Sequence, residues 1–478
     1  MKKIQLVLAS HTNAGKTTLM RTLLRRKIGI VEDHEHTTDE AEAHTLLQTE
    51  SAELILWDTP GFGNVPAVIK EIKKEGKIAS ILKKIPGIPG FLKKNFGKYG
   101  KTERSLYCSQ KAVQTAWDQA DLMLYLADTS QDPEEAGYLD HELEILGLIG
   151  KPALLILNHT RHEDITRMVA RWSGYCGRAR LPNGDALFRG GAEPLNAFTR
   201  CWTQEHNFLE AAKAALGPDH QSAMIEILKA WRERHLATFH QSARIMAEFL
   251  RDAASCQETA KGLYIKKKIA KEKWENIGNS VRKLIQEAAA QLIKAHELTG
   301  KNRGDPKETL SFEQHESLRL GWTNAAAMAT GATAGFAIDL FAGAATLWFG
   351  TAVSSLVGFI TGGVLTLKGE YTARLNEKTL RGLTEQILLI YLAISHHGFG
   401  QGFMEETAFD AQAPEWGQLV SQATTDRKRA LNNALSALMQ DSPGKSATEN
   451  MAEWIERAIR QVLTRRYPES QGLLRSRL

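Results

Sequence analysis

Three polar side chains in the first sixty residues have the types and spacing needed to hold a phosphate chain and a divalent cation. Lys16 and Thr17 occur in LASHTNAGKTT, which meets the pattern G-x-x-x-x-G-K-[ST] from Gly15 onward and has Ser10 where the first glycine is expected. Backbone amides of such a turn bind phosphate oxygens, the lysine contacts the β- and γ-phosphates, and the threonine hydroxyl holds Mg²⁺. A serine at the first position is compatible with this role if its φ is negative. The nucleotide contacts predicted for this loop are Asn13, Ala14, Gly15, Lys16, Thr17 and Thr18.

A second motif, WDTPG, follows an apolar strand and supplies the third side chain. Asp58 ends the run LILWD, so we expect its carboxylate at the carboxyl edge of a sheet, where it can hold Mg²⁺ through water. The Gly61 amide can then meet the γ-phosphate. Either motif alone is compatible with an ordinary turn, but both in this order predict a site for a magnesium triphosphate, with Lys16 and Gly61 acting on the γ-phosphate.

Alternating strands and helices position these motifs. The Gly-Lys-Thr turn leads directly into a helical repeat of Leu19, Leu23 and Leu24. Apolar runs typical of buried parallel strands cover 4–9, 54–57, 122–128 and 153–158. This alternation predicts an α/β domain with a doubly wound, mostly parallel sheet over residues 1–215. Long helical patterns dominate residues 216–478, which predicts a second, mainly α-helical domain.

These elements resemble the Era-like branch of the translation-factor class of GTPases over residues 1–215. The resemblance implies a P-loop GTPase that binds GTP with Mg²⁺ and hydrolyses it. It implies that the threonine of the first switch, a metal ligand with a part in catalysis, is Thr38 or, alternatively, Thr37. It also implies that Asn158 reads the base and that the Ala197 backbone, in LNAFTRCWTQE, lies near the guanine. The metal ligands implied in this way are Thr17, Thr38 and Asp58.

The base-reading motif departs from that family's pattern. The family has Asn-Lys-x-Asp, whereas this chain has Asn158-His159-Thr160-Arg161. The missing aspartate would accept two hydrogen bonds from guanine, and arginine only donates. Glu163 or Asp164 is an alternative acceptor. The sequence therefore leaves the choice between GTP and ATP open.

The residue that orients the attacking water also differs from the Ras-like pattern. Phe62 stands where Ras-like proteins have a glutamine, which matches Era-like GTPases that use a potassium ion held by an asparagine of the phosphate loop. Asn13 occupies that asparagine's position. We therefore expect K⁺-stimulated hydrolysis, and an ordinary turn residue is the alternative interpretation of Asn13.

Two segments outside these motifs suggest contact with a membrane. An insertion at about residues 64–104 mixes lysine pairs with Ile, Leu and Phe, which favours an anionic lipid surface or a protein partner; an ordinary solvated loop is the alternative. Residues 321–367 contain a single charged residue, Asp339, and they are about twice as long as the ~20 apolar residues that span a bilayer. Small residues at four-residue steps favour a Gly-rich hydrophobic hairpin, in lipid or buried inside a helical domain.

Composition narrows the remaining classes. A hydrophobic content of 43% and a charged content of 24% are typical of a folded chain, and a net charge of +5 over 478 residues does not imply nucleic acid. The four cysteines form no C-x-x-C pair, which favours reduced thiols in the cytoplasm. With the two membrane-directed segments, we expect a cytoplasmic protein that is peripheral to the inner membrane or inserts a hairpin into it.

The whole arrangement resembles a bacterial family in which an Era-like domain precedes a helical domain of unknown function of the DUF3482 type. The leading hypothesis is a GTP-hydrolysing switch coupled to a helical domain that associates with a membrane, a membrane protein or a second copy. One alternative is an RNA- or ribosome-associated assembly GTPase; the sequence has no KH-type loop in a basic setting and no RNP motif, so nucleic acid is not the expected partner. The other is a membrane-active effector that nucleotide regulates with little turnover.

Overall fold

The computed structural model describes residues 1–25, 40–82, 103–158, 165–197, 199–261, 267–298, 364–365, 370–398, 406–440 and 444–475. Contacts divide the chain into two compact units, Met1–Arg234 with His397–Gly402, and His235–His396 with Phe403–Leu478. The domain boundary expected at residue 215 stays a prediction. The described residues exclude Thr37 and Thr38, Arg161 with Glu163 and Asp164, residues 83–102 of the basic insertion, and all of the segment 321–367 except 364–365.

The first unit is built on a sheet of six strands in the order β2-β3-β1-β4-β5-β6. All neighbouring pairs are parallel except β2 and β3, which are antiparallel. The strands are β1 Lys2–Ala9, β2 Glu42–Gln48, β3 Ala52–Asp58, β4 Leu122–Asp128, β5 Ala153–Asn158 and β6 Phe188–Pro194. The expected mostly parallel α/β sheet is therefore confirmed, with its antiparallel pair at one edge.

Both faces of this sheet are buried, which explains the continuous apolar runs of its central strands. Along β1, Val7 packs into one core with Phe62, whereas Leu6 and Leu8 pack into the other. This alternation follows from the two-residue repeat of a strand. The helices that follow or cover the strands are α1 Lys16–Leu24, α2 Val65–Leu82, α3 Arg104–Gln119, α4 Leu139–Ile149, α5 Ile165–Cys176 and α6 Trp202–Ala215.

The second unit is mainly helical, as expected. Its helices are α7 Gln221–Ser255, which begins in the first unit, α8 Lys267–Ala295, α9 Glu377–Ser395, α10 Glu406–Asp426, α11 Lys428–Leu438, α12 Lys445–Arg466 and α13 Gln471–Arg475. A small antiparallel sheet, which the sequence patterns did not indicate, joins β7 Gln257–Lys261, β8 Val364–Leu365 and β9 Glu370–Arg374. No helix among the described residues combines the length and the apolar character needed to cross a bilayer.

Candidate nucleotide site

The predicted phosphate-binding loop connects the end of β1 to the start of α1. Gly15 precedes the helix with a φ of 91°, and Asn13 also has a positive φ, of 65°. A Cβ added to Gly15 would lie 2.8 Å from Asn158 Nδ2, so both the left-handed backbone and the space require glycine here. Ser10 is not among the described residues with positive φ, which satisfies the condition under which serine can replace the first glycine.

Ser10 has a role that the motif did not reveal. Its hydroxyl donates to the His11 carbonyl at 2.7 Å and accepts a hydrogen bond from Lys16 Nζ at 2.9 Å. Lys16 is buried, and burial lowers the pKa of its ammonium, while the carboxylates of Asp58 and Glu142 oppose that shift. The serine hydroxyl therefore gives the buried ammonium a hydrogen-bond partner. The charge of that ammonium is one that a bound triphosphate would neutralise.

Thr17 and Asp58 meet at the edge of the sheet. Thr17 Oγ1 donates to Asp58 Oδ2 at 2.7 Å, and the buried Asp58 Oδ1 accepts no hydrogen bond from the described residues. Burial raises the pKa of the Asp58 carboxyl, and the Thr17 hydrogen bond and the Lys16 charge oppose this. Mg²⁺ prefers oxygen ligands and keeps several of its waters, so a hydroxyl and one carboxylate suit it. No cluster of three or more His, Cys, Asp or Glu residues that could hold a metal occurs in the described part of the chain.

Gly61 lies directly against the phosphate-binding loop. A Cβ at this position would stand 2.7 Å from Thr12 Cα, so only glycine permits this approach of the two backbones. The next residue, Phe62, pairs with the loop: its amide donates to the Ser10 carbonyl at 2.9 Å, and its own carbonyl accepts from Thr12 Oγ1 at 3.3 Å. The Phe62 side chain is buried in the core and so does not reach the site.

Asn158 joins three segments at the other end of the site. Its Nδ2 donates to the Ala14 carbonyl at 2.9 Å, and its Oδ1 accepts from the Ala197 amide at 2.8 Å. Thr22 Oγ1, on α1, donates to the Ala197 carbonyl at 2.6 Å. The fully buried Asn158 amide therefore holds the phosphate-binding loop and the Ala197 loop at a fixed separation.

A buried carboxylate that the sequence did not single out supports the loop from behind. Glu142, on α4, contacts His11 Nδ1 through Oε1 at 2.8 Å and accepts from the Tyr125 hydroxyl through Oε2 at 2.7 Å. The His11 ring stacks on Tyr138 with 4.0 Å between ring centroids. Burial raises the pKa of the Glu142 carboxyl, and its bonds to His11 and Tyr125 oppose that shift. No local motif marks this pair, because 131 residues separate its members.

The structure brings most of the predicted site residues together around one edge of the sheet. Those that lie in or against the phosphate-binding loop, directly or through Asn158, are Asn13, Ala14, Gly15, Lys16, Thr17, Thr18, Asp58, Gly61, Asn158 and Ala197. Thr38 lies outside the described residues. The roles assigned to these residues stay predictions.

Two family models match the sequence. One, described as "50S ribosome-binding GTPase", matches residues 5–159, and the other, described as "Domain of unknown function (DUF3482)", matches residues 195–464. No curated protein matches the chain.

Several solved structures are similar at low identity. A variant of Era from Aquifex aeolicus bound to GDP and aluminium fluoride has 14% identity and a TM-score of 0.27, covering 61% of this chain and 90% of that one. Era in complex with MgGDPNP and a segment of 16S ribosomal RNA has 15% identity and a TM-score of 0.27, covering 60% and 89%. An NFeoB variant from S. thermophilus bound to GMPPNP has 14% identity and a TM-score of 0.26, covering 61% and 90%. TM-scores this low carry no argument about the activity of this chain.

Proposed function

The chain belongs to the family defined by the domain of unknown function DUF3482 and carries a P-loop GTPase domain, and we propose that GTP hydrolysis switches how its helical unit engages a membrane. The GTPase activity itself follows from the matched domain, as expected from the sequence.

The observation that supports the switch is the set of buried polar groups at the phosphate end. Lys16, Thr17 and Asp58 are all buried, and one Asp58 oxygen is left without a hydrogen bond from the described residues. Groups of this kind are costly to bury unless charged partners neutralise them. A triphosphate with Mg²⁺ supplies both signs of charge, and Thr17 and Asp58 are the residues that would hold the ion, which when bound offsets negative charge on the phosphates.

The chain's own groups would then act by positioning and electrostatics. The Lys16 ammonium and the backbone amides ahead of α1 stabilise negative charge on the phosphates, and the Gly61 amide binds the γ-phosphate. Phe62 cannot orient a water molecule, because its buried side chain has no polar atom. The exposed Asn13, held at positive φ in the loop, is the residue that would bind K⁺.

The proposed membrane contact rests on the sequence. The lysine-rich insertion follows directly on the Gly61 segment, and the charge-poor segment at 321–367 belongs to the same chain. Lysines beside apolar groups bind acidic lipid surfaces. A change in the Gly61 backbone on loss of the γ-phosphate would therefore change the position of the insertion.

A second candidate function is ribosome association. The printed description of the family model over residues 5–159 names 50S ribosome binding. This description stands against the expectation that nucleic acid is not a partner.

Co-sedimentation of the full chain distinguishes the two functions. Purified protein is mixed with vesicles containing about 30% anionic lipid, or with ribosomes, in the presence of GDP or a non-hydrolysable GTP analogue with Mg²⁺. The switch predicts that the fraction pelleting with vesicles depends on the nucleotide, and that Lys16→Ala removes this dependence. Equal pelleting with both nucleotides would contradict it, and salt-sensitive pelleting with ribosomes would favour the second candidate. Hydrolysis measured in K⁺ and in Na⁺ buffers tests the potassium site, which equal rates would exclude.

A further inference from the structure

Helix α3 holds the segment that follows Gly61 through a single buried hydroxyl. Ser109, which is fully buried, accepts hydrogen bonds from two consecutive backbone amides, those of Gly63 and Asn64, each at 2.9 Å. The same hydroxyl donates to the Ser105 carbonyl at 3.0 Å, one turn earlier in the helix. Both lone pairs and the proton of Ser109 are therefore used, and two of the three bonds fix backbone just beyond the predicted γ-phosphate contact.

The same helix also holds the residue two positions after Thr38. Tyr107 donates to Glu40 Oε1 at 2.9 Å, and Lys111 forms an ion pair with Glu40 Oε2 at 2.9 Å. The hydrogen bonds from Lys111 and Tyr107 lower the pKa of the Glu40 carboxyl, which keeps it charged at neutral pH. Glu40 follows the predicted metal ligand Thr38 by two residues, and Gly63 follows the predicted γ-phosphate contact Gly61 by two. Both are attached to α3.

Helix α3, which carries these two attachments, packs into the core of the first unit. Leu106, Val113 and Ala116 are buried in the same core as Phe62 and as Ile69 of α2. Close-packed cores transmit displacement because they hold no space into which a helix can shift. A movement of one attached segment is therefore expected to displace the other.

We propose that Ser109 is a positioning residue for γ-phosphate recognition, and that α3 makes the segments at Glu40 and at Gly63 and Asn64 respond to the triphosphate as one unit. The inference rests on the proposed GTP-driven switch. It adds a specific route for the response, through helix α3, which carries none of the predicted nucleotide contacts. GDP has no γ-phosphate, so its binding does not depend on this route.

A double-variant cycle in the full chain tests the proposal. The affinities for GDP and for a non-hydrolysable GTP analogue are measured with Mg²⁺ for the wild type, Ser109→Ala, Glu40→Gln and the double variant. Losing the acceptor of two buried amides is expected to weaken analogue binding about tenfold. Losing the exposed ion pair is expected to weaken it about two- to threefold. GDP affinity should change less than about twofold in every variant, because neither residue lies at the part of the site that GDP fills.

The cycle also measures the coupling through α3. Distant residues without a shared partner usually have additive effects. Ser109 and Glu40 share the helix, so we expect the double variant to lose less analogue affinity than the product of the two single losses. A loss equal to that product would overturn the coupling, and an equal loss of GDP and analogue affinity in Ser109→Ala would show a general effect on folding instead of positioning.

Two controls keep these outcomes distinguishable. Ser105→Ala changes a serine of the same helix whose carbonyl, not its hydroxyl, bonds Ser109, and it should leave the ratio of the two affinities unchanged. Glu40→Gln alters an exposed side chain and will fold even if Ser109→Ala does not, so an unchanged affinity ratio in that variant would overturn the proposal by itself. A wild-type chain that fails to bind the analogue would overturn the proposed function, whereas normal wild-type binding with unaffected variants would overturn only this inference.

Discussion

The phosphate end and the base end of the site share one edge of the sheet but are built from different chemistry. At the phosphate end, Lys16 and Asp58 are charged side chains that are buried close to one another. At the base end, the described residues are held by the neutral amide of Asn158, which uses its donor and its acceptor on backbone groups of Ala14 and Ala197.

A motif match therefore establishes the chemistry of the phosphate end but not that of the base end. The phosphate motif consists of residues whose own groups contact the ligand, so its chemistry can be deduced from residue type. Asn158 uses both its amide nitrogen and its amide oxygen on structural partners inside the protein, so its presence does not by itself indicate that guanine is read. That choice depends on whichever side chain takes the place of the missing aspartate, where the sequence has Arg161.

The largest effect is expected from removing the charge at the phosphate end. Lys16→Ala should reduce the rate of GTP hydrolysis at saturating nucleotide by about 10²–10³-fold, because a preorganised donor to the developing charge is lost. Hydrolysis is measured by phosphate release from the full chain with Mg²⁺. Lys3→Ala, which removes an exposed lysine of β1 that pairs with Glu53, should leave the rate unchanged. A Lys16→Ala variant with wild-type turnover would show that the buried Lys16 ammonium does not stabilise charge on the phosphates during hydrolysis.

A second prediction concerns the point where the two ends touch. Gly15→Ala places a Cβ 2.8 Å from Asn158 Nδ2, at a φ of 91°, so it adds a collision to the cost of a left-handed backbone. Gly184→Ala has nearly the same φ, of 88°, with nothing within 4 Å, and it should cost only the backbone strain of about 1–2 kcal/mol.

Chemical denaturation of both variants tests this comparison. We expect Gly15→Ala to lose more stability than Gly184→Ala and also to bind GTP and GDP more weakly, because the Asn158 bridge must shift. Equal losses in the two variants would mean that the two ends are not mechanically connected through Gly15.

A third prediction tests the base end alone. Arg161→Asp restores an acceptor for the guanine amino and imino groups and should raise the preference for GTP over ATP by about tenfold or more, since one hydrogen bond to a charged group is worth at least that factor. Competition of GTP and ATP against a fluorescent GDP analogue measures the ratio. Hydrolysis at saturating GTP should stay close to wild type, since the phosphate end is untouched. An unchanged ratio would indicate that another group of the chain already reads guanine.

The sequence predicted the parts of the fold and of the site that local patterns determine. The apolar strands at 4–9, 54–57, 122–128 and 153–158 match β1, β3, β4 and β5, because strands buried on both faces must be apolar throughout. The edge strands β2 and β6, EAHTLLQ and FRGGAEP, were not recognised. Their partly exposed faces leave no continuous apolar run or strict alternation.

The same reasoning explains which site residues were missed. Gly15, Lys16 and Thr17 are neighbours in the chain and form a pattern. Ser109 and Glu142 reach the site only through tertiary contacts with Gly63 and His11, which lie 46 and 131 residues away. No spacing in a single sequence encodes such contacts, so these two residues became visible only in the fold.

The smallest expected effect is a pH-dependent one at Glu142, behind the phosphate end. Burial raises the pKa of this carboxyl in the folded chain above its value of about 4.3 in an unfolded one. The folded protein therefore holds this proton more tightly, and the stability that this group contributes is complete below pH ~4 and is lost as the pH rises through its folded pKa. Glu142→Gln cannot ionise, so its stability relative to the wild type should increase as the pH is raised from about 4 to 7.

Hydrogen exchange of the β1 amides in the full chain measures this difference, because it reports on the first unit separately from the helical one. Glu144→Gln, on the same helix but half-exposed and paired with Lys73, provides the matched control. If the difference between Glu142→Gln and the wild type were constant with pH, the bonds from His11 and Tyr125 would fully offset the burial of the carboxylate. The phosphate end would then be supported by a buried carboxylate that costs nothing to ionise, and its contrast with the neutral base end would be confined to Lys16 and Asp58.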